Sequence, residues 1–293
     1  MAERRWGGGW LYRALTVLAA AIPLYGQPAR DAAAAEAVDL KLVIAADVSY
    51  SIDEEEAMLQ RQGTIDAFRS AEVIGAIASG VLGRIAVAYI DFSSRMTNRV
   101  VLDWQVIGDG ATANAFADRL AAASLTHGMH TSISDGIELA RRLIETSPIQ
   151  GTRQVIDVSG DGPNNFGRLV DDVRDATIAR RITINGLPIM NERGAFSSRY
   201  YLPDLDLYYR GCVIGGPGAF IVVANNFADF ARAIRRKLIL EIAGLSPRDE
   251  GPPRPLPMPA ATGTSLRPSP NGYVYPKGCD IGERMRGYIS TEP

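Results

Sequence analysis

The chain has 293 residues, of which 46% are hydrophobic, so it is long enough to bury one large core or two small ones. Its formal net charge is −2, from 31 basic and 33 acidic side chains, and its basic residues form no cluster. This balance excludes the electrostatic footprint of a nucleic-acid-binding protein.

The first 37 residues have the features of a secretory signal peptide. Arg4 and Arg5 give a positive start, residues 14–24 form an apolar run, and residues 35–37 offer a small-x-small cleavage site before Val38. The run is too short to span a bilayer, and an uncleaved N-terminal anchor is the alternative. Because no later segment has about 18 consecutive apolar residues, the sequence predicts a periplasmic or secreted protein with no transmembrane segment after processing.

From residue 38 to residue 244, apolar runs alternate with amphipathic segments. The first run is apolar almost throughout, which is typical of a strand buried on both faces. The third is more polar, which favours an edge strand. The six predicted strands are residues 40–46, 85–92, 99–104, 154–158, 182–187 and 219–224.

Helical periodicity fills the intervals between these strands. Ile133, Ile137, Ala140 and Ile144, for example, share one helical face. The predicted helices cover residues 53–68, 111–123, 131–146, 168–180 and 227–242. Strands that alternate with helices predict an α/β fold with an open, mostly parallel sheet and helices on both faces.

An irregular stretch, residues 191–218, precedes the last predicted strand and is rich in Tyr, Gly and Asp. We interpret it as a surface excursion with a short helix near residues 205–209. Its two tyrosine pairs, 200–201 and 208–209, provide either an aromatic contact surface or packing onto the domain.

The end of the chain is predicted to be a linker and a tail. Residues 245–276 are rich in Pro, Gly and Ser, which is typical of an extended linker. The domain itself therefore covers residues 38–244, and residues 277–293 form the tail. In an exported chain, Cys212 and Cys279 are candidates for a disulfide that would hold the tail on the domain; two free buried thiols are the alternative.

Three separated segments place oxygen-bearing side chains at one edge of the predicted sheet. Asp47, Ser49 and Ser51 follow the first strand, Thr131 starts a helix, and Asp161 follows the fourth strand. Ligand sites in open α/β sheets form at the carboxyl ends of the strands. Two carboxylates and three hydroxyls are hard ligands, so they favour Mg²⁺, or Mn²⁺ or Ca²⁺, over zinc or copper.

Each of these residues also has a purely structural explanation. Asp47 and the two serines could cap the helix that starts near Asp53, Thr131 is a plausible N-cap, and Asp161 begins a plausible turn. The metal-site hypothesis therefore depends on the five residues occurring together at matching positions in the fold.

This combination resembles the metal-ion-dependent adhesion site of von Willebrand factor type A domains. The Asp-x-Ser-x-Ser motif of residues 47–51, with Thr131 and Asp161, fills the five positions of that site, and the order of strands and helices is similar over residues 38–244. The phrases DVSGDG and VIGGPGAF further resemble an uncharacterised bacterial branch of the superfamily that is found in exported proteins.

The resemblance implies a Rossmann-like sheet of six strands with one antiparallel edge strand, here residues 99–104. It implies that Ser49 and Ser51 bind the cation directly, that Thr131 binds directly or through water, and that Asp47 and Asp161 act mainly through water. It also implies a cation-dependent adhesion module that binds a carboxylate of a protein partner and is not an enzyme.

Two other functions are alternatives to this one. A metal-assisted hydrolase would need a general base, and only His127 and His130 beside Thr131 could serve. These histidines could instead form a pH-sensitive gate or be ordinary loop residues. A dinucleotide-binding site is disfavoured because no Gly-x-Gly-x-x-Gly follows the first strand. Asp91, which ends the second strand, is a further candidate for the surroundings of the metal.

Overall fold

The computed structural model describes residues 1–3, 36–191, 200–247 and 267–290, with side chains up to residue 287. Most of the predicted signal peptide and residues 248–266 of the predicted linker therefore lie outside the described residues. The chain divides into two units, residues 1–34 and 35–293, and the fold below is that of the second. In the described ranges, no helix has both the length and the apolar character needed to cross a membrane.

The second unit is built on one mixed sheet with the strand order β3-β2-β1-β4-β5. The central strand β1 pairs in parallel with both β2 and β4, and β4 pairs in parallel with β5. β3 pairs antiparallel with β2 at one edge, which confirms the predicted edge strand. The strands are β1 (Ala37–Asp47), β2 (Ile85–Phe92), β3 (Arg99–Ile107), β4 (Gln150–Gly160) and β5 (Thr183–Pro188).

The prediction of six strands is wrong by one, because residues 219–224 make only isolated bridges with β5. These bridges pair Gly186 with Ile221 and Ile189 with Ala224. Pro188 lies between the two bridges and has no backbone N–H to donate, so the ladder is interrupted there. The segment still covers the side of β5 opposite β4.

Helices cover both faces of the sheet, as predicted. α1, α2, α3 and α7 pack on one face, and α4 and α5 pack on the other. The helices are α1 (Glu54–Arg69), α2 (Ala71–Ala78), α3 (Gly110–Ala122), α4 (Ile133–Thr146), α5 (Val170–Ile178), α6 (Leu205–Tyr208), α7 (Phe230–Ala243) and α8 (Ile281–Ser290).

The start of α1 lies directly after the first segment of the predicted metal site and is fixed by a capping box. The Asp53 carboxylate accepts a hydrogen bond from the backbone N–H of Glu56, and the Glu56 carboxylate accepts one from the backbone N–H of Asp53. Three consecutive acids, residues 54–56, occupy the first turn, where their negative charges interact favourably with the positive end of the helix dipole. The segment before Asp53 is therefore free to form the site rather than to cap the helix.

A covalent link holds the C-terminal segment on the face that carries α4 and α5. A disulfide joins Cys212, in a π-helical turn that covers Tyr209–Val213, to Cys279, and both cysteines are buried. Tyr275 is buried beside them, with its ring centroid 5.5 Å from that of Tyr208. Tyr275 and Cys279 thus form part of the hydrophobic core on this face, and Tyr273, Ile281 and Met285 pack against it.

Candidate metal site

The five oxygen-bearing residues predicted from the sequence lie together at the carboxyl end of the sheet. Asp47 is the last residue of β1, and Asp161 directly follows β4. The two strands are hydrogen-bonded neighbours with Ala46 opposite Ser159, so their ends reach the same edge. Thr131 comes to this edge because it lies just before α4.

A continuous chain of short contacts joins these side chains. The Thr131 hydroxyl donates to the Ser49 hydroxyl at 3.0 Å, and the Ser49 and Ser51 hydroxyls are 3.1 Å apart. The Ser51 hydroxyl donates to Oδ1 of Asp161 at 2.7 Å, and Oδ1 of Asp47 accepts the backbone N–H of Ser49 at 2.8 Å. The five residues therefore form one cluster of oxygen-bearing side chains.

Two asparagines that the sequence analysis did not identify fix the positions of Thr131 and of the first turn of α4. Asn165 accepts the backbone N–H of Thr131 on its side-chain oxygen at 3.0 Å and donates its own N–H to the Thr131 carbonyl at 2.8 Å. The Asn164 side-chain oxygen accepts the N–H of Ser134 in the first turn of α4 at 2.9 Å. The signal that could have revealed them is their position, three and four residues after Asp161 in the same loop.

Gln60 on α1 fixes the ends of two neighbouring strands from the opposite face of the sheet. Its amide nitrogen donates to the backbone carbonyl of Asp47 at 2.9 Å, and its amide oxygen accepts the Ser159 hydroxyl at 2.9 Å. The buried glutamine therefore ties the end of β1 to the end of β4.

The two carboxylates of the cluster are held in an environment that disfavours their negative charge. Asp47 is fully buried; burial raises its pKa well above the usual range, and the nearby charge of Asp161 raises it further. Burial also raises the pKa of Asp161, against the hydrogen bond from Ser51. Among the described residues, no Lys or Arg forms an ion pair with either carboxylate, and Oδ2 of Asp47 has no hydrogen-bond partner.

These observations show that the cluster fits a bound cation. A divalent ion supplies the positive charge that two closely placed carboxylates, one of them fully buried, lack, and hydroxyl and carboxylate oxygens are the ligands that Mg²⁺ and Ca²⁺ accept. Across the described ranges, no group of three or more His, Cys, Asp or Glu side chains is placed to hold a metal. The donor set is thus of the hydroxyl-rich kind.

The remaining candidates lie around the cluster without joining it. The His130 ring stacks on Phe166 with centroids 4.7 Å apart, and His127 is exposed in the same loop. The Asp91 carboxylate is buried and forms ion pairs with Arg61 at 3.0 Å and Arg99 at 3.1 Å.

Asp91 nevertheless supports the loop that leads to Thr131. Its carboxylate accepts a hydrogen bond from the Thr126 hydroxyl at 3.0 Å, and Arg99 donates to the carbonyl of Ser124 at 2.6 Å. The role of Asp91 is therefore to anchor residues 124–126, five to seven positions before the cluster threonine.

A family model described as "Protein of unknown function (DUF1194)" matches residues 37–246. No curated protein matches the sequence.

The fold is similar to that of several solved structures. The pilus adhesin SpaC from Lactobacillus rhamnosus GG is 14% identical with a TM-score of 0.51, over 70% of this chain and 31% of that chain. Proximal thread matrix protein 1 of the mussel byssus is 14% identical with a TM-score of 0.50, over 72% of this chain and 47% of that chain. A von Willebrand factor type A protein from Catenulispora acidiphila is 13% identical with a TM-score of 0.47, over 70% and 43%.

In each case the aligned part of the chain spans about half or less of the other protein's length. At these identities the similarity to the two structures with TM-scores of 0.50 and 0.51 establishes the fold alone. It is the open α/β fold that the resemblance to von Willebrand factor type A domains implied for residues 38–244.

Proposed function

The chain belongs to the family described as "Protein of unknown function (DUF1194)", and from that premise and its von Willebrand factor type A fold we propose that it is a divalent-cation-dependent binding module. One observation carries the proposal: five oxygen-bearing side chains from three separate segments meet in one hydrogen-bonded cluster whose two carboxylates have no cationic partner among the described residues.

The hydroxyls of Ser49, Ser51 and Thr131 would hold the cation, with Asp47 and Asp161 acting through water and through hydrogen bonds to the hydroxyls. Mg²⁺ fits this donor set best, with Mn²⁺ and Ca²⁺ as alternatives. The ion would supply a partly uncompensated positive charge, which suits a carboxylate on a protein partner. Ser51 and Asp161 are partly exposed, so the cluster opens to solvent on the side where a partner would approach.

We propose binding rather than catalysis for this site. A hydrolase would require a general base at the cluster, and the ring of His130, the residue before Thr131, is engaged in stacking on Phe166. A screen of phosphate and ester substrates tests this choice. Turnover that is lost when His127 and His130 are both replaced would favour the hydrolase instead.

We further propose that residues 1–37 are a cleaved signal peptide, so that the domain works in the periplasm or outside the cell. The disulfide between Cys212 and Cys279 supports an oxidising compartment. N-terminal sequencing of the protein recovered from the native envelope tests the cleavage after residue 37.

Isothermal titration calorimetry with Mg²⁺, Mn²⁺, Ca²⁺ and Zn²⁺ tests the metal site. The wild-type protein is expected to bind one divalent ion, and Asp47→Ala is expected to abolish binding while circular dichroism shows an intact fold. Asp135→Asn is the matched control, because the Asp135 carboxylate accepts a hydrogen bond from Ser132, the N-cap of α4, and is not part of the cluster. Equal affinity in wild type and Asp47→Ala would refute the site.

The partner is tested by affinity capture from the native envelope with and without a chelator. We expect proteins that are retained by the wild-type domain in Mg²⁺, released by the chelator and not retained by Asp47→Ala. Blocking the carboxylates of the captured protein by amidation is expected to abolish rebinding.

A further inference from the structure

Tyr209 is a buried residue whose hydroxyl lies next to Gly160, beside the candidate metal site. Its ring lies against Gly186 on β5, where a Cβ would be 2.6 Å from Cδ1 of the tyrosine, and its hydroxyl lies near Gly160 on β4. Val158 pairs with Gly186, so Gly160 is two residues further along and faces the same side of the sheet. The two glycines leave the space that the tyrosine occupies.

The hydroxyl of Tyr209 and one oxygen of Asp47 face the same small space. A Cβ at Gly160 would lie 2.9 Å from Oδ2 of Asp47 and 3.1 Å from the Tyr209 hydroxyl. Both oxygens are buried, and neither has a hydrogen-bond partner among the described residues. The phenol is a donor and the carboxylate oxygen is an acceptor, so the two unpaired groups are complementary.

We propose that Tyr209 is a positioning residue of the metal site, whose hydroxyl donates a hydrogen bond to Oδ2 of Asp47, directly or through one water. Oδ1 of Asp47 already accepts the backbone N–H of Ser49, so a second donor at Oδ2 fixes both oxygens of the carboxylate. The inference rests on the proposed metal site and adds a sixth residue to it, one that lies outside the Asp-x-Ser-x-Ser, Thr and Asp pattern.

One further observation supports this role. Tyr209 begins the π-helical turn that contains Cys212, and the disulfide to Cys279 holds that turn on the domain.

Metal affinity of the Tyr209→Phe variant provides the first test. This substitution keeps the ring and removes only the hydroxyl, and the loss of an outer partner of a metal site weakens binding by about 10-fold or more. Tyr275→Phe is the matched control, because Tyr275 is also buried in the disulfide-linked segment but its raised pKa comes from burial and Asp204 rather than from the cluster. We expect weaker Mg²⁺ binding in Tyr209→Phe and unchanged binding in Tyr275→Phe.

A second test uses no metal. In a chelator, the folding equilibrium constants of wild type, Tyr209→Phe, Asp47→Asn and the double variant form a double-mutant cycle. The effect of Tyr209→Phe is expected to shrink by a factor of about two or more in the Asp47→Asn background, whereas Tyr275→Phe is expected to have the same effect in both backgrounds.

The outcomes separate this inference from the proposed function. A wild-type protein that binds no divalent ion would refute the proposed function, and the cycle in chelator would then decide the role of Tyr209. The inference is overturned if Tyr209→Phe binds Mg²⁺ as tightly as wild type, if both tyrosine variants weaken binding equally, or if the cycle shows no coupling.

Discussion

The side-chain amide of Asn164 donates a 2.6 Å hydrogen bond to Oε1 of Glu283, and this bond joins the loop after β4 to the C-terminal helix α8. The same loop carries Asp161, which belongs to the oxygen cluster, and Asn165, which supports that cluster. Helix α8 lies beyond residues 37–246, where the family model matches. A segment outside the matched region therefore contacts a loop on which the site depends.

The docking of α8 is expected to depend on pH through Glu283. Burial raises the pKa of Glu283 to about 7 from its ordinary value of 4.5, so the docked state binds a proton more tightly than the undocked state. The stabilisation is complete below about pH 4.5 and is lost as the pH rises through about 7. Urea unfolding of wild type should show stability that falls over this range by up to about 1.4 kcal/mol per pH unit relative to Glu283→Gln.

Glu145→Gln is the control for this measurement, because Glu145 forms a surface ion pair with Arg141 on α4. Its pH profile should run parallel to that of wild type. Parallel profiles for wild type and Glu283→Gln would show that Glu283 does not couple docking to pH.

Removal of the disulfide is expected to release the C-terminal segment. The bond closes a loop of 67 residues, and loss of a cross-link of this kind costs about 2–5 kcal/mol. The double variant Cys212→Ser, Cys279→Ser should show this loss in chemical unfolding, together with faster hydrogen exchange over residues 267–287. Unchanged exchange in that segment would mean that noncovalent packing alone holds it.

The buried carboxylate of Asp91 should be far more important for stability than an exposed one. Asp91→Ala leaves the guanidinium of Arg61, whose side chain is only 7% exposed, without the carboxylate with which it forms an ion pair, and breaking such a buried pair costs about 3–5 kcal/mol. Asp118→Ala removes the partner of Arg69 in a pair that is 41% and 69% exposed, where the expected cost is about 0–1 kcal/mol. Similar losses for both variants in urea unfolding would contradict this interpretation.

A methyl group at Gly160 should disturb the site, whereas one at Gly75 should not. Gly160→Ala places a Cβ 2.9 Å from Oδ2 of Asp47, and overpacking of this kind costs about 1–3 kcal/mol. A Cβ at Gly75, inside helix α2, meets nothing within 4 Å, so Gly75→Ala should stabilise the protein by about 0.5–1 kcal/mol. Thermal unfolding of both variants checks the contrast, which a stable Gly160→Ala protein would contradict.

The parts of the fold with strong apolar patterns could be predicted from the sequence. The buried runs that became β1 and β2, and the four-three-four spacing of Ile133, Ile137, Ala140 and Ile144, each indicated the correct element. Helix α2 was missed because it has eight residues and follows α1 at once, with Ser70 ending one helix and capping the next.

The sequence could not reveal contacts that depend on distant parts of the chain. Pro188 prevents a sixth strand only because residues 219–224 lie beside β5 in the fold, and nothing near Pro188 in the sequence indicates that neighbour. The pair at residues 208–209 could have been a surface or packing, and the structure buries both tyrosines. No local pattern in the sequence connects Tyr209 with Asp47. The two side chains come together only because the fold places both of them beside Gly160, which has no side chain of its own.

The link between Cys212 and Cys279 also imposes an order on biosynthesis. Cys212 leaves the ribosome 67 residues before its partner, a delay of roughly 3–13 s at ordinary rates of synthesis. All five strands of the described sheet are synthesised before Cys279. The sheet can therefore assemble first, and the disulfide can form only after Cys279 has been synthesised, in the presence of an oxidant. Formation of this disulfide is therefore the last covalent step of maturation within residues 212–279.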